Sequence, residues 1–246
     1  KYACKDPLFG GILFRKNTTA LRKPGGLFTE AKKLYLKLQP HVREQAMEME
    51  FRATGGGTLK FDHLENDNVT AETNHQGTQY SMVGFDELTH FTQYEMLYLL
   101  GRLRSESATS FMLCTCNPDA DSWVINWVLP YLDEAGFPRD DMCGKQLYFL
   151  IVNDEPVFAE DPEELKEKYP ENCFMENPNT GEIVTIEPQS FVFIGGTIFD
   201  NPELIRLNPK YLASLKAQTA VKRAQLLDGC WFARAQEESF FNREWL

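Results

Sequence analysis

Tyr80-Ser81-Met82-Val83-Gly84-Phe85-Asp86-Glu87 decides the fold. Its short apolar centre reads as a buried strand, and its end delivers two adjacent carboxylates. In an open α/β sheet, ligands sit beyond the carboxyl ends of the strands. A strand ending in Asp-Glu there suits nucleotide hydrolysis. The first acid, Asp86, can hold a Mg²⁺ shell, and the second, Glu87, can orient and deprotonate the attacking water. The bland alternative is that the two acids merely begin a solvated turn, so the neighbours must decide.

Downstream lies a second apolar strand, Phe111-Met-Leu-Cys-Thr-Cys116, followed by Asn117-Pro118. Between the two strands, Phe91 to Arg104 carries apolar residues at Phe91, Tyr94, Leu97, Tyr98 and Leu100, close to helical spacing. Strand, helix, strand makes a parallel crossover, which puts both strand ends on one rim. Thr115 and Asn117 then come within reach of Asp86 and Glu87, where a polar residue can sense a γ-phosphate or the attacking water. Asn-Pro also caps turns routinely, and both roles are compatible.

Upstream, Phe9–Phe14 reads as a further buried strand, with Arg15 and Lys16 at its end. Arg15 is a candidate nucleotide contact; the ordinary use of one arginine is a surface ion pair. Leu27–Leu38 reads as an amphipathic helix with Lys32, Lys33 and Lys37 on its polar side. Met47–Ala53 and Thr58–Leu64, joined by Gly55-Gly-Gly57, read as a hairpin. Asn66–Thr78 is polar and turn-rich. Ser122–Leu132 reads as a helix, Gln146–Val152 as another strand ending on the same rim, and Glu160–Lys168 as an exposed helix. Residues 170–188 form an excursion turning at Asn177-Pro-Asn-Thr-Gly181, and Ser190–Ile198 resumes the sheet or its edge. Short helices follow at 203–207, 209–217 and 219–228, with Gly229 as a C-cap. The expected fold is α/β, a mostly parallel sheet flanked by helices, with a core over residues 1–199 and a helical linker over 200–246.

Composition sets limits. The 246 residues are 43% apolar, enough to bury a substantial core. No apolar run approaches transmembrane length, so no membrane association is expected. Cys4, Cys114, Cys116, Cys143, Cys173 and Cys230 fit no zinc spacing and read as reduced core thiols of a cytosolic protein. The formal net charge is −11. That argues against a broad basic DNA-gripping surface and leaves room for a local one.

These residues carry a resemblance. Gly84-Phe-Asp-Glu-Leu-Thr-His-Phe91 resembles the Walker B segment of tailed-bacteriophage large terminase subunits, and Thr115-Cys-Asn-Pro118 with Trp123 resembles their motif III. Phe199-Asp-Asn-Pro-Glu-Leu204, Asn208-Pro-Lys-Tyr211, Leu215, Arg223 and Leu227-Asp-Gly-Cys-Trp231 resemble the linker after the ATPase core. Gly11-Ile-Leu-Phe-Arg-Lys-Asn17 resembles the strand after the P-loop helix. The resemblance implies a P-loop NTPase of the ASCE type that uses ATP and Mg²⁺ to drive viral double-stranded DNA into a procapsid. It implies portal protein and small terminase subunit as partners, a homo-oligomeric ring during packaging, and the cytoplasm of the bacterial host as location. Asp86 would be the metal residue, with Glu87, Thr115, Asn117 and Arg15 catalytic. Gln76-Gly77 stands where some relatives carry Arg-Gly, so a trans-acting arginine is not provided there. Arg102 and Arg104 are the fallback candidates.

No G-x-x-x-x-G-K-[ST] occurs in the 246 residues. The expectation is therefore a piece of a longer polypeptide, lacking the P-loop segment and a nuclease domain and inactive by itself. Two rival readings remain. Asp86, Glu87, Asp119 and Asp121 could hold two metals for phosphodiester cleavage, although Asp is common in turns such as Asp119–Asp121. Alternatively, the chain is a non-catalytic docking module.

Overall fold

The computed structural model describes residues 3, 5–64, 68–105 and 110–234, with only the backbone of 68–70. The expectations for Cys4 and for the part of the linker beyond residue 234 fall outside them. The chain divides into two compact units, Lys1–Cys116 and Asn117–Leu246. Among the described residues no helix is long and apolar enough to cross a membrane.

The first unit runs β1 (Gly10–Arg15), α1 (Thr18–Arg22), α2 (Leu27–Tyr35), β2 (His41–Arg43), β3 (Glu48–Glu50), β4 (Thr58–His63), α3 (Asn68–His75), β5 (Met82–Asp86), α4 (Gln93–Leu100) and β6 (Phe111–Thr115). One sheet has the order β2-β3-β4-β1-β5-β6. β4, β1, β5 and β6 are parallel, and β2 and β3 add an antiparallel hairpin edge. The sheet is thus mixed and mostly parallel, flanked by helices.

Its apolar strands follow from burial on both faces, which parallel strands require. Ile12, Phe14, Val83 and Phe85 are almost wholly buried. The register sets Phe14 beside Phe85, and their rings stack 5.6 Å apart. Phe14 meets His75 of α3 edge-on, and Phe85 meets Phe91 the same way. Opposite, Leu59, Phe61 and Met82 share a core with Leu21, Phe28 and Ala31 from α1 and α2. Gly84 pairs in register with Leu13, and a Cβ at 84 would collide with the Leu13 side chain. A side chain at 84 would have to displace the end of the Leu13 side chain.

Two local features depart from expectation. α3 is an eight-residue helix inside the polar 66–78 stretch. Among its described side chains, 71–75, Ala71 and His75 are the buried ones, four apart, and two residues on one helical face give almost no periodic signal. Cys114 is exposed and Cys116 half-buried, so neither is a core thiol. β6 is the edge strand, and its Leu113 is likewise bare.

The second unit contains α5 (Ile125–Val128), β7 (Gln146–Val152), β8 (Glu155–Ala159), α6 (Pro162–Lys168), α7 (Pro170–Cys173), β9 (Phe174–Glu176), β10 (Ile183–Thr185), β11 (Gln189–Val192), α8 (Pro202–Leu207), α9 (Pro209–Lys216) and α10 (Ala220–Leu226). β7 does not join the parallel rim. It lies antiparallel between β11 and β8 in a three-stranded sheet. Asn153 and Asp154 both take positive φ, 51° and 65°. That is the two-residue hairpin geometry Asn and Asp tolerate, so the chain turns straight back rather than opening onto a ligand rim.

The core of this unit is aromatic. Trp127 packs on Phe149 and Phe191. Tyr131 is fully buried, its hydroxyl 3.0 Å from the Lys145 carbonyl. The expected helix at 122–132 shortens to α5 and a 3₁₀ turn at Leu129–Tyr131, because Pro130 cannot donate into an α-helical ladder. Cys173 and Cys230 are buried free thiols, and Cys143 is an exposed one. The excursion is α7 followed by a β9–β10 hairpin. The three expected short helices appear as α8, α9 and α10. Asn201 caps the first, Thr219 caps the third, and proline opens α8 and α9.

Candidate nucleotide-hydrolysis edge

Three parallel strands end side by side, each on a chemically useful residue: Arg15 on β1, Asp86 on β5 and Thr115 on β6. Register brings them together, since Phe14 lies opposite Phe85 and Asp86 opposite Thr115. Arg15 Nη1 sits 2.7 Å from Asp86 Oδ2. Thr115 Oγ1 donates to Asp86 Oδ1 at 2.9 Å. Asp86 is therefore held from both flanks, one oxygen by a cation and the other by a hydroxyl. Arg15 and Asp86 each keep about a quarter of their side-chain surface in solvent (27% and 26%), so an incoming ligand can reach them.

Glu87 follows directly, half-buried and left-handed at φ 63°, ψ 61°. A non-glycine residue there stores backbone strain on the order of 1 kcal/mol. The turn sends the chain into the 3₁₀ segment Leu88–His90. The Glu87 carboxylate makes itself felt at the end of β6. The Cys116 thiol is pushed up to about 12 by burial and by the negative charge of Glu87.

One residue pair at this edge was not singled out in the sequence. Lys16, next to Arg15, places Nζ 3.1 Å from Glu95 Oε1 and 5.0 Å from the centre of the Phe91 ring. Glu95 is 1% exposed. Its carboxylate also accepts from the Thr92 backbone at 2.7 Å, while Thr92 Oγ1 accepts from the Glu95 N–H at 3.1 Å. The pair is a capping box that starts α4. The signal was available as Thr92-x-x-Glu95 before an apolar run. Nothing in spacing alone said that the glutamate would also bind Lys16.

The other sequence candidates are placed as follows. Asn117 is the first residue of the second unit. Asp119 closes a turn, accepting from the Asp121 N–H at 3.0 Å, and Asp121 pairs with Arg234. Among the described residues no cluster of three or more His, Cys, Asp or Glu could hold a metal. Arg102 lies over the Tyr98 ring and donates to its hydroxyl. Arg104 and Gln76 are exposed.

A single carboxylate beside a hydroxyl fits Mg²⁺, which takes one or two protein oxygens and otherwise water and phosphate. Asp86 with Thr115 supplies that donor set. A groove of about 570 Å³ lies on the sheet face that carries Leu13, bounded by Leu27, Leu34, Leu59 and Phe61.

Among solved structures, the chain is similar to the large terminase of the thermophilic bacteriophage D6E at 19% identity and TM-score 0.40. It is also similar to that terminase in complex with ADP, at 16% identity and TM-score 0.39. Each match covers 52% of this chain and 31% of the other, so the chain spans about a third of those proteins. No curated protein matches. The family model described as "Terminase large subunit, T4likevirus-type, N-terminal" matches residues 11–246, and the chain belongs to that family.

Proposed function

We propose that this chain is the catalytic-edge portion of an ATPase that powers movement of viral double-stranded DNA into a procapsid. Family membership supports the class. The observation that carries the site is the convergence of Arg15, Asp86 and Thr115 at three adjacent parallel strand ends, with Glu87 immediately beyond.

In this reading Asp86 would hold Mg²⁺, which would supply positive charge against the phosphates. Arg15, paired to Asp86 without nucleotide, turns its guanidinium toward the phosphates when they arrive. Glu87 orients and deprotonates the attacking water; its strained backbone fixes the carboxylate at the strand end. Thr115 gives or withdraws its hydrogen bond to Asp86 according to the occupancy of the γ-phosphate position. Asn117 carries that state into the second unit. Gln76 supplies no cation, and Arg102 is engaged with Tyr98, so a trans-acting arginine would have to be Arg104 or come from elsewhere.

The phosphate cradle comes from a segment outside residues 1–246, since no P-loop signature is present. The outer edge of β6, the last strand of the sheet among the described residues, and the open groove beside Leu13 are surfaces such a segment could cover. Residues 1–199 form the ATPase core and 200–246 the linker. Double-stranded DNA, portal protein and small terminase subunit are the partners, the working form is a homo-oligomeric ring, and the site of action is the bacterial cytoplasm. With a net charge of −11, contact with DNA is narrow rather than a broad basic grip.

The test compares a longer polypeptide carrying this chain with its Asp86→Asn variant in two assays. Mg-ATP turnover lost in the variant supports the motor. Divalent-dependent DNA cutting without ATP, lost in the same variant, supports the two-metal nuclease instead. Neither activity in the parent leaves the docking module.

A further inference from the structure

The carboxylate read as the metal holder is paired with a cation. Arg15 Nη1 lies 2.7 Å from Asp86 Oδ2, and Thr115 Oγ1 donates to Oδ1 at 2.9 Å. Both oxygens are engaged, and a guanidinium answers the negative charge. Register fixes the encounter: Phe14 lies opposite Phe85, so Arg15 and Asp86 follow at neighbouring strand ends. Among the described residues Asp86 is the one acid paired with Arg15. The adjacent cation, Lys16, is committed to the Glu95 carboxylate and the Phe91 ring.

A cation so placed opposes a second one. A divalent ion approaching the same oxygen by itself must displace the guanidinium or sit beside it, and like charges that close repel even in a partly solvated site. A guanidinium stays charged throughout the physiological pH range, so it does not yield by titration. It yields by moving to another anion. Both side chains keep about a quarter of their surface in solvent, and a pair this exposed is weak enough to exchange partners. Phosphate oxygens are acceptors that match the planar fork of an arginine.

We propose that Arg15 gates the metal position: it denies Asp86 to a free divalent cation and releases it when a phosphate-bearing ligand draws the guanidinium away. The consequence is an order of events, in which the metal enters with the phosphates rather than ahead of them. The inference rests on the reading of Asp86 as the metal residue and adds a control on when the metal enters.

The test needs neither nucleotide nor turnover and uses the chain itself. Mn²⁺ stands in for Mg²⁺, since both favour octahedral oxygen donors. The electron paramagnetic resonance of unbound Mn²⁺ is followed as the ion is titrated to about 10 mM, a range that captures millimolar contacts. The sequence holds 36 Asp and Glu residues, which bind the ion weakly elsewhere. The parent and Arg15→Gln are therefore each read beside the same protein carrying Asp86→Asn, and the difference is the binding that depends on Asp86. Circular dichroism and the urea midpoint check each fold, and Arg15→Met replaces Arg15→Gln where the latter is disturbed.

The expected result is Asp86-dependent affinity at least about tenfold tighter in Arg15→Gln than in the parent. A purely structural role for Arg15 predicts a loss or no change, because a loosened strand end holds an ion less well. Equal Asp86-dependent affinity in the two proteins overturns the gate and leaves Asp86 as the metal residue. Absence of Asp86-dependent binding from both also overturns it. Mg-ATP turnover by Asp86→Asn in the longer polypeptide then decides separately whether the metal reading falls as well.

Discussion

The Lys16–Glu95 pair offers a sharp test of how the candidate edge is held. Glu95→Ala removes the charged partner of Lys16 and the side-chain acceptor of the Thr92 N–H. Breaking a buried pair costs about 3–5 kcal/mol, and losing a helix N-terminal cap interaction about 1 kcal/mol. Glu95 is 1% exposed but Lys16 is 17% exposed. The stranded ammonium can therefore rehydrate in part, which lowers the first term. The net expectation is a loss of about 3 kcal/mol. Glu95→Gln keeps the shape and an acceptor for Thr92, loses only the charge, and should cost about 1–2 kcal/mol. The assay is native-state hydrogen exchange of peptides covering 92–101. The α4 amides should lose protection in the order parent, Glu95→Gln, Glu95→Ala, while peptides of β7 and β8 stay unchanged. A Glu95→Ala cost below about 1 kcal/mol would refute the view that this pair anchors the edge.

Other expectations follow from single groups. His75 is buried against Phe14, and desolvation lowers its pKa from 6.5. The unfolded chain therefore takes up its proton first, so the His75 contribution to stability is present above about 6.5 and is lost as pH falls toward the lower folded value. Urea midpoints of the parent should fall between pH 7 and 5, and His75→Phe should flatten that slope. Cys116, with its thiol pushed up to about 12, has a thiolate fraction at pH 8 of about 10⁻⁴. It should resist iodoacetamide in peptide mapping, and Glu87→Gln, by removing the nearby negative charge, should speed its alkylation. Equal Cys116 rates in both proteins would contradict the placement of Glu87 near the end of β6. Gly84→Val would drive side-chain atoms into Leu13 and should destabilise the first unit by about 1–3 kcal/mol, as measured by thermal unfolding.

The parallel sheet was legible because its strands are short, apolar and strongly punctuated. Met82–Asp86 and Phe111–Thr115 needed only composition and spacing, and their parallel order then placed Asp86 beside Thr115. Arg15 was recognisable as a rim residue, but its pairing with Asp86 depends on register, which no one-dimensional pattern supplies. Among the described side chains of α3 just Ala71 and His75 are buried, which is too little pattern to reveal the helix. β7 was misplaced because an apolar run does not say which sheet it joins; the deciding residues were Asn153 and Asp154, whose left-handed turn returns the chain at once. The edge position of β6 made Cys114 solvent-facing although its neighbours are apolar. Glu95 escaped notice because a capping residue and an ion-pair partner look alike until the lysine's strand has been placed.

In the proposed function Asp86 and Glu87 divide the work of metal holding and water activation. Its most direct test is a comparison of ATP binding with single-turnover hydrolysis, in a longer polypeptide that supplies the phosphate cradle, beside its Glu87→Gln variant. Near-equal Mg-ATP affinity and a hydrolysis rate lower by ~10²–10⁴-fold are expected in the variant. Hydrolysis at the parental rate by Glu87→Gln would contradict that division and remove Glu87 from the chemistry.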